Sequence, residues 1–101
     1  MIGDTLKRLR NIYGYKAIEL SLLLEISNTY LSEIERNHKT PSIDLLQKYA
    51  STFNIKLSSL ISIMEAYDSE VKNNRTQEQI TWMMIALINS MGKENVNEKT
   101  I

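Results

Sequence analysis

The chain has 101 residues, 43 % hydrophobic and 24 % charged, which is the composition of one folded domain rather than a disordered segment. Twelve basic residues balance twelve acidic ones, so the net charge gives no support to a nucleic-acid partner. The absence of cysteine and the single histidine, His38, exclude disulfides, thiolate metal sites and a histidine-rich metal centre. Three glycines and one proline are too few turn formers for a many-stranded β fold. The longest mostly apolar stretch, Ile80 to Met91, is too short to span a bilayer, and MIGDTLKRLR lacks the apolar run of a signal peptide. The expectation is a cytoplasmic, all-α protein that avoids membranes.

The elements follow in chain order. Ile2, Leu6, Leu9 and Ile12 recur at helical spacing, and Gly14 suits the left-handed residue that ends a helix. A second helix is predicted from Lys16 to Leu24. After a short break at Glu25 to Ser27, the Ser27 hydroxyl can cap a third helix that carries Leu31 and Ile34 inward and ends near Arg36. Asn37 takes a positive φ there. HKTPS is a loop with Ser42 as the next cap. Ile43, Leu46, Tyr49, Ala50 and Phe53 form the stripe of a fourth helix, closed by Asn54. A fifth begins near Leu57 or Ser58, with Leu60, Ile61, Met64, Tyr67 and Val71 on its apolar side. SEVKNNRT reads as a linker. Thr76 with Gln79 fits a capping box for a last helix, Gln77 to Met91, stopped by Gly92, and the tail KENVNEKTI is polar.

Charge is unevenly placed. Residues 1–57 carry eight basic and six acidic side chains, and the remainder four and six. A basic half joined to an acidic half is a mild pointer to one nucleic-acid face, and ordinary solvated charge explains it equally well.

The informative feature is the pair of short helices at 16–24 and 28–36 with a tight turn between them. In a helix-turn-helix the second helix enters the DNA major groove, which needs a rigid buried inner face and short polar side chains outside. Leu20, Ile26, Leu31 and Ile34 can supply the inner face, and Asn28, Thr29, Ser32 and Glu33 the outer one. Spacing alone is a weak signal, since any small helical bundle contains such pairs.

The wording is more specific. MIG at the start, Lys7 and Arg10, Gly14–Tyr15, Glu19–Leu20, the run YLS-E-IERN at 30–37 and TPSI at 40–43 agree in order and spacing with one family. Over roughly residues 1–62 the chain resembles the Cro/C1-type (XRE) helix-turn-helix regulators, and among them the SinR type, with the likeness fading after Ile63. The resemblance implies a lambda-repressor-like domain of five helices at 1–62. A helical extension for dimerisation or partner binding follows at 63–91, then a polar tail at 92–101. It implies that Asn28, Thr29, Ser32 and Glu33 read bases, asparagine pairing with adenine and glutamate accepting from the cytosine amino group. Lys16, Tyr30, Asn37, His38, Lys39 and Thr40 match places where family members meet the DNA backbone. Arg10 and Glu35 match a structural ion pair between helices 1 and 3.

The chain also departs from the pattern. Lys16 and Ala17 stand where many members have a capping Thr or Ser and then Gln. Glu25 stands where the turn often has Gly, which predicts a backbone that is strained or differently wound. Ile18, Leu22 and Leu23 are apolar where the family usually shows charge. The last helix is equally rich, and Ile80, Trp82, Met83, Met84, Leu87, Ile88 and Met91 are assigned to oligomerisation. That helix is expected to pack on helices 2 and 5, on a second copy, or on both.

The leading reading is a sequence-specific, double-stranded DNA-binding transcriptional regulator. It would act as a dimeric repressor on an inverted-repeat operator, with recognition helix 28–36 in the major groove. A regulatory protein partner is a further expectation. The alternative is a protein-interaction module, an anti-regulator or an antitoxin, that keeps the scaffold and uses the apolar last helix. The sequence offers no phosphate loop, cysteine nucleophile or second histidine, so neither an enzyme nor a cofactor nor a metal is expected.

Overall fold

Six helices follow one another without a strand in the computed structural model, which describes residues 2–92. They are α1 (Ile2–Tyr13), α2 (Ala17–Leu24), α3 (Asn28–Glu35), α4 (Ile43–Phe53), α5 (Leu57–Lys72) and α6 (Gln77–Leu87), with a π-helical turn at Ile88–Gly92.

The starts are set by short polar side chains. Ser27 Oγ accepts the Tyr30 amide at 3.0 Å, and Ser42 Oγ accepts that of Leu45 at 3.1 Å. Thr76 and Gln79 form the expected reciprocal box, with Thr76 Oγ1 accepting the Gln79 amide and Gln79 Oε1 accepting that of Thr76. The ends share one device. After α1 to α5 the chain passes through a left-handed residue, respectively Gly14 (φ 83°), Glu25 (62°), Asn37 (65°), Asn54 (59°) and Asn74 (59°). In each case two amides fold back on the last carbonyls, as Ile55 does to Ala50 at 3.0 Å. Glycine and asparagine enter that region readily, whereas glutamate does so at a cost of about 1 kcal/mol.

The core is continuous. Leu6 and Leu9 of α1, Leu20 and Leu24 of α2, and Leu31 and Ile34 of α3 are completely buried. Tyr49 and Phe53 of α4 and Leu60 and Ile63 of α5 join them, and Tyr13 stacks on Phe53 with centroids 4.5 Å apart. Burial of this apolar surface, at about 25 cal/mol per Å², drives the assembly.

Helix α6 belongs to the same core. Ile80, Met84 and Ile88 are 1 %, 0 % and 6 % exposed and sit in one cluster with the residues of α1 and α5. Arg8 Nη1 donates to Thr81 Oγ1 at 2.8 Å, and its guanidinium lies 6.0 Å from the centre of the Tyr67 ring. The helix therefore packs on α1 and α5. Its expected partner α2 keeps Ile18, Leu22 and Leu23 exposed. α6 takes α1 as a support through Ile80, Met84 and Ile88, which share a cluster with Leu6 and Leu9, and through the Arg8–Thr81 bond, whereas α2 turns Ile18, Leu22 and Leu23 outward. α5 runs unbroken across residues 62 and 63, so the division of labour expected there falls within a helix.

Candidate nucleic-acid interface

The α2–turn–α3 unit is built from the inside. Leu20, Leu31 and Ile34 anchor it at 0 % exposure, with Ile26 half-buried beside them. The turn closes through Glu25 at φ 62°, ψ 40°, whose amide donates to Leu22 O while Ile26 donates to Ser21 O. The strain expected for a non-glycine residue is thus present. A surface pair with Lys48 at 3.2 Å does little to offset it, because Glu25 remains 76 % exposed.

Behind α3, Arg10 grips Glu35. Nε meets Oε2 at 2.7 Å and Nη2 meets Oε1 at 3.0 Å, a bidentate pair with both side chains nearly buried. Arg10 Nη1 also donates to Tyr15 O at 3.0 Å. The Glu35 hydrogen bonds outweigh desolvation and raise the guanidinium pKa further above its usual value. The pair joins α1 to α3 with side chains only 12 % and 7 % exposed.

The outer face of α3 is polar. Asn28, Thr29 and Ser32 are exposed, and Glu33 is half-buried. Arg36 continues the same stripe one turn on and is exposed at the helix end. The sequence reading missed it, although the spacing 29, 32, 33, 36 was a usable signal. The loop that follows exposes His38, Lys39 and Thr40. Lys16 is exposed at the N-terminus of α2, where its ammonium offers no acceptor to cap the helix. Instead Glu19 Oε1 reaches back to the Lys16 amide at 2.8 Å. Tyr30 is half-buried against the core.

Asn37 behaves differently from the expectation. Its Oδ1 accepts the Gly3 amide at 2.8 Å and its Nδ2 donates to Asp4 Oδ1 at 3.1 Å. The side chain is tied to α1 instead of standing free for phosphate.

The profile of the HTH_3 family, helix-turn-helix, matches residues 6–60, more than half of the chain. The chain belongs to this XRE-type family. It is 29 % identical to the HTH-type transcriptional regulator SinR of Bacillus subtilis (strain 168) over 99 residues, 97 % of this chain and 87 % of that protein. It is 36 % identical to the HTH-type transcriptional regulator SlrR of the same strain over 61 residues, 59 % of this chain and 40 % of SlrR. To the regulator DdrOP3 of Deinococcus deserti it is 33 % identical over 67 residues, 66 % of this chain and 52 % of that protein. No solved structure gives a significant match. The likeness to SinR passes well beyond Ile63, where the sequence reading expected it to fade. The names these relatives carry are those of transcriptional regulators, not enzymes.

The seven side chains assigned to oligomerisation divide by exposure. Ile80, Met84 and Ile88 are buried inside the chain and have no surface for a second copy, because α1 and α5 cover them. Met83 and Leu87 are half-buried on the flanks, and Trp82 is 67 % exposed. The side chain of Met91 lies outside the described residues. Ile18 at 53 %, Leu22 at 72 % and Leu23 at 53 % form a second exposed apolar group on α2. Among the described residues no His/Cys/Asp/Glu group of metal-binding size occurs, and no helix is long and apolar enough to cross a membrane.

Proposed function

We propose that this regulator is a cytoplasmic, dimeric repressor that reads an inverted repeat in duplex DNA through α3. The observation that carries the reading is the exposed polar row Asn28, Thr29, Ser32 and Arg36 on a helix whose inner side is fixed by Leu31, Ile34 and the buried Arg10–Glu35 pair. Rigid support behind short polar side chains is what base reading requires. Asn28 suits adenine, Arg36 suits guanine or phosphate, and Glu33 suits the cytosine amino group. Lys16, His38, Lys39 and Thr40 flank that row and favour phosphate, which makes affinity fall as salt rises. Two copies joined through the exposed side of α6, at Trp82, Met83 and Leu87, would present two recognition helices. Successive major grooves lie about 34 Å apart.

The test is selection from random duplex DNA, repeated at two salt concentrations. An enriched inverted repeat bound more weakly at high salt is the expected result, and Asn28→Ala and Thr29→Ala then each weaken it by about 1–3 kcal/mol. Folded protein that enriches nothing would refute the reading.

A second reading rests on Leu22, exposed at 72 % between Ile18 and Leu23 on α2. An apolar helix surface in a chain of zero net charge suits a protein-interaction module, an anti-regulator or an antitoxin, that retains the scaffold. Folded protein without DNA selectivity that co-purifies with one stoichiometric protein would favour it.

A further inference from the structure

Helix α1 meets the recognition helix at two separate places. One is the Arg10–Glu35 pair. The other lies seven residues earlier in α1, about 10 Å along the helix at 1.5 Å per residue. There Gly3 and Asp4 are held by the side chain of Asn37, at 2.8 and 3.1 Å. A Cβ on Gly3 would overlap the Ile34 carbonyl and lie 2.7 Å from Asn37 Oδ1, so α1 abuts the end of α3 with no spare room.

Asn37 is placed to join these parts. Its backbone at φ 65° ends α3, with its amide donating to Ile34 O at 3.0 Å and the next amide, His38, donating to Glu33 O at 2.8 Å. The residues directly after it, His38 to Thr40, form the exposed loop flanking the polar row. Leu31 and Ile34 seat α3 in the core, the Arg10–Glu35 pair ties its end to one place on α1, and the Asn37 clasp ties it to a second place ~10 Å away along α1.

We infer that Asn37 is a positioning residue for DNA reading: clasped to Gly3 and Asp4, it sets the angle of α3 and the place of loop 38–40. It aligns base-reading and phosphate contacts without touching DNA through its side chain. This inference rests on the DNA reading proposed above, which the same experiment tests separately.

Two variants weaken the clasp by different routes. Asn37→Gly keeps the left-handed backbone, which glycine adopts freely, and deletes both side-chain bonds. Asp4→Ala deletes one bond and also removes an acidic charge, which by simple electrostatics should tighten binding to any DNA. Affinities for the selected duplex and for a scrambled one are measured across a salt series, with thermal unfolding by circular dichroism as the control. In both variants selected-duplex binding is expected to fall about tenfold, the size of one lost base contact. Binding to the scrambled duplex should hold or rise, and the salt slope on the selected duplex should become shallower by about one phosphate contact. A lost hydrogen bond that mattered only for stability would lower the melting point without changing selectivity or slope.

Wild-type selectivity and salt slope in both folded variants would overturn the inference, and so would tighter selective binding by Asp4→Ala. Should Asn37→Gly fail to fold, Asp4→Ala decides alone. Amide exchange supplies an independent reading by NMR. Gly3 lies in the first turn of α1, where amides lack helical acceptors, so its protection in the wild type and exposure in Asn37→Gly would support the clasp. Unprotected Gly3 in the wild type would refute it. Wild-type protein that selects no sequence would refute the DNA reading and the positioning role with it, whatever the Gly3 exchange shows of the clasp itself.

Discussion

Replacing Gly3 by alanine sets two effects of opposite sign against each other. In a free helix, alanine is favoured over glycine by about 1 kcal/mol. In this chain the added methyl group overlaps Ile34 O and lies 2.7 Å from Asn37 Oδ1 and 2.9 Å from Glu35 O. Two of those three atoms are backbone carbonyls at the end of α3, so no rotamer change relieves the overlap. Accommodating an extra methyl in a packed place costs ~1–3 kcal/mol. Drawing α1 away also breaks the Gly3–Asn37 bond, a further ~1 kcal/mol. The gain in propensity is smaller than this sum, and Gly3→Ala is expected to lose about 1–3 kcal/mol. Urea unfolding followed by circular dichroism measures the change, seen as a lower midpoint at unchanged slope. A variant as stable as the wild type, or more stable, would show that α1 does not abut α3, and the positional argument for Asn37 would fall with it.

Other substitutions test separate parts of the structure. Met84→Ala empties a completely buried position and should destabilise by ~2–5 kcal/mol, whereas Trp82→Ala at 67 % exposure should leave unfolding of the monomer nearly unchanged and reduce association in sedimentation velocity. Equal destabilisation by the two would contradict the described sides of α6. Glu25→Gly relieves the left-handed backbone at φ 62° and should raise stability by up to ~1 kcal/mol in the same urea assay, while a clear loss would mean that the Lys48 pair matters more than the strain. Burial and the Glu35 carboxylate push the Tyr49 phenol well above its ordinary value, and burial raises Tyr13. The folded state therefore holds these protons more tightly. The stability they contribute is complete below the unfolded value, near pH 10, and is lost as pH rises beyond it. Absorbance at 295 nm should show Tyr49 and Tyr13 ionising at higher pH in the folded protein than in urea, and identical behaviour of these two in both states would contradict this.

What the sequence revealed depended on the range of the interaction. Caps and helix ends are local, and Ser27, Ser42, the Thr76–Gln79 box, Gly14, Asn37 and Asn54 were all legible because a few neighbouring residues fix them. The outer row at Asn28, Thr29 and Ser32 was legible from periodicity together with family wording. The second role of Asn37 was not, because its partners lie 33 and 34 residues away and no local pattern encodes that meeting. The orientation of α6 was hidden for a related reason. A helix apolar on most sides gives no phase to its own periodicity, so only the shape of α1 and α5 decides that Ile80, Met84 and Ile88 turn inward and Trp82 outward. The same ambiguity led to α2 as the expected support, although its Ile18 and Leu22 face away from the core.

The seating of α6 on α1 bears on how the protein comes into being. α1 is made before α6, and the side of it that Arg8 presents stays bare until residues 80–88 have been synthesised. Contacts between residues 73 positions apart in sequence require closure of a long loop before they return any stabilisation. A nascent chain still on the ribosome therefore has the helix-turn-helix segment but not its finished core. A product truncated before α6 keeps that side of α1 bare and is the form most exposed to aggregation and degradation.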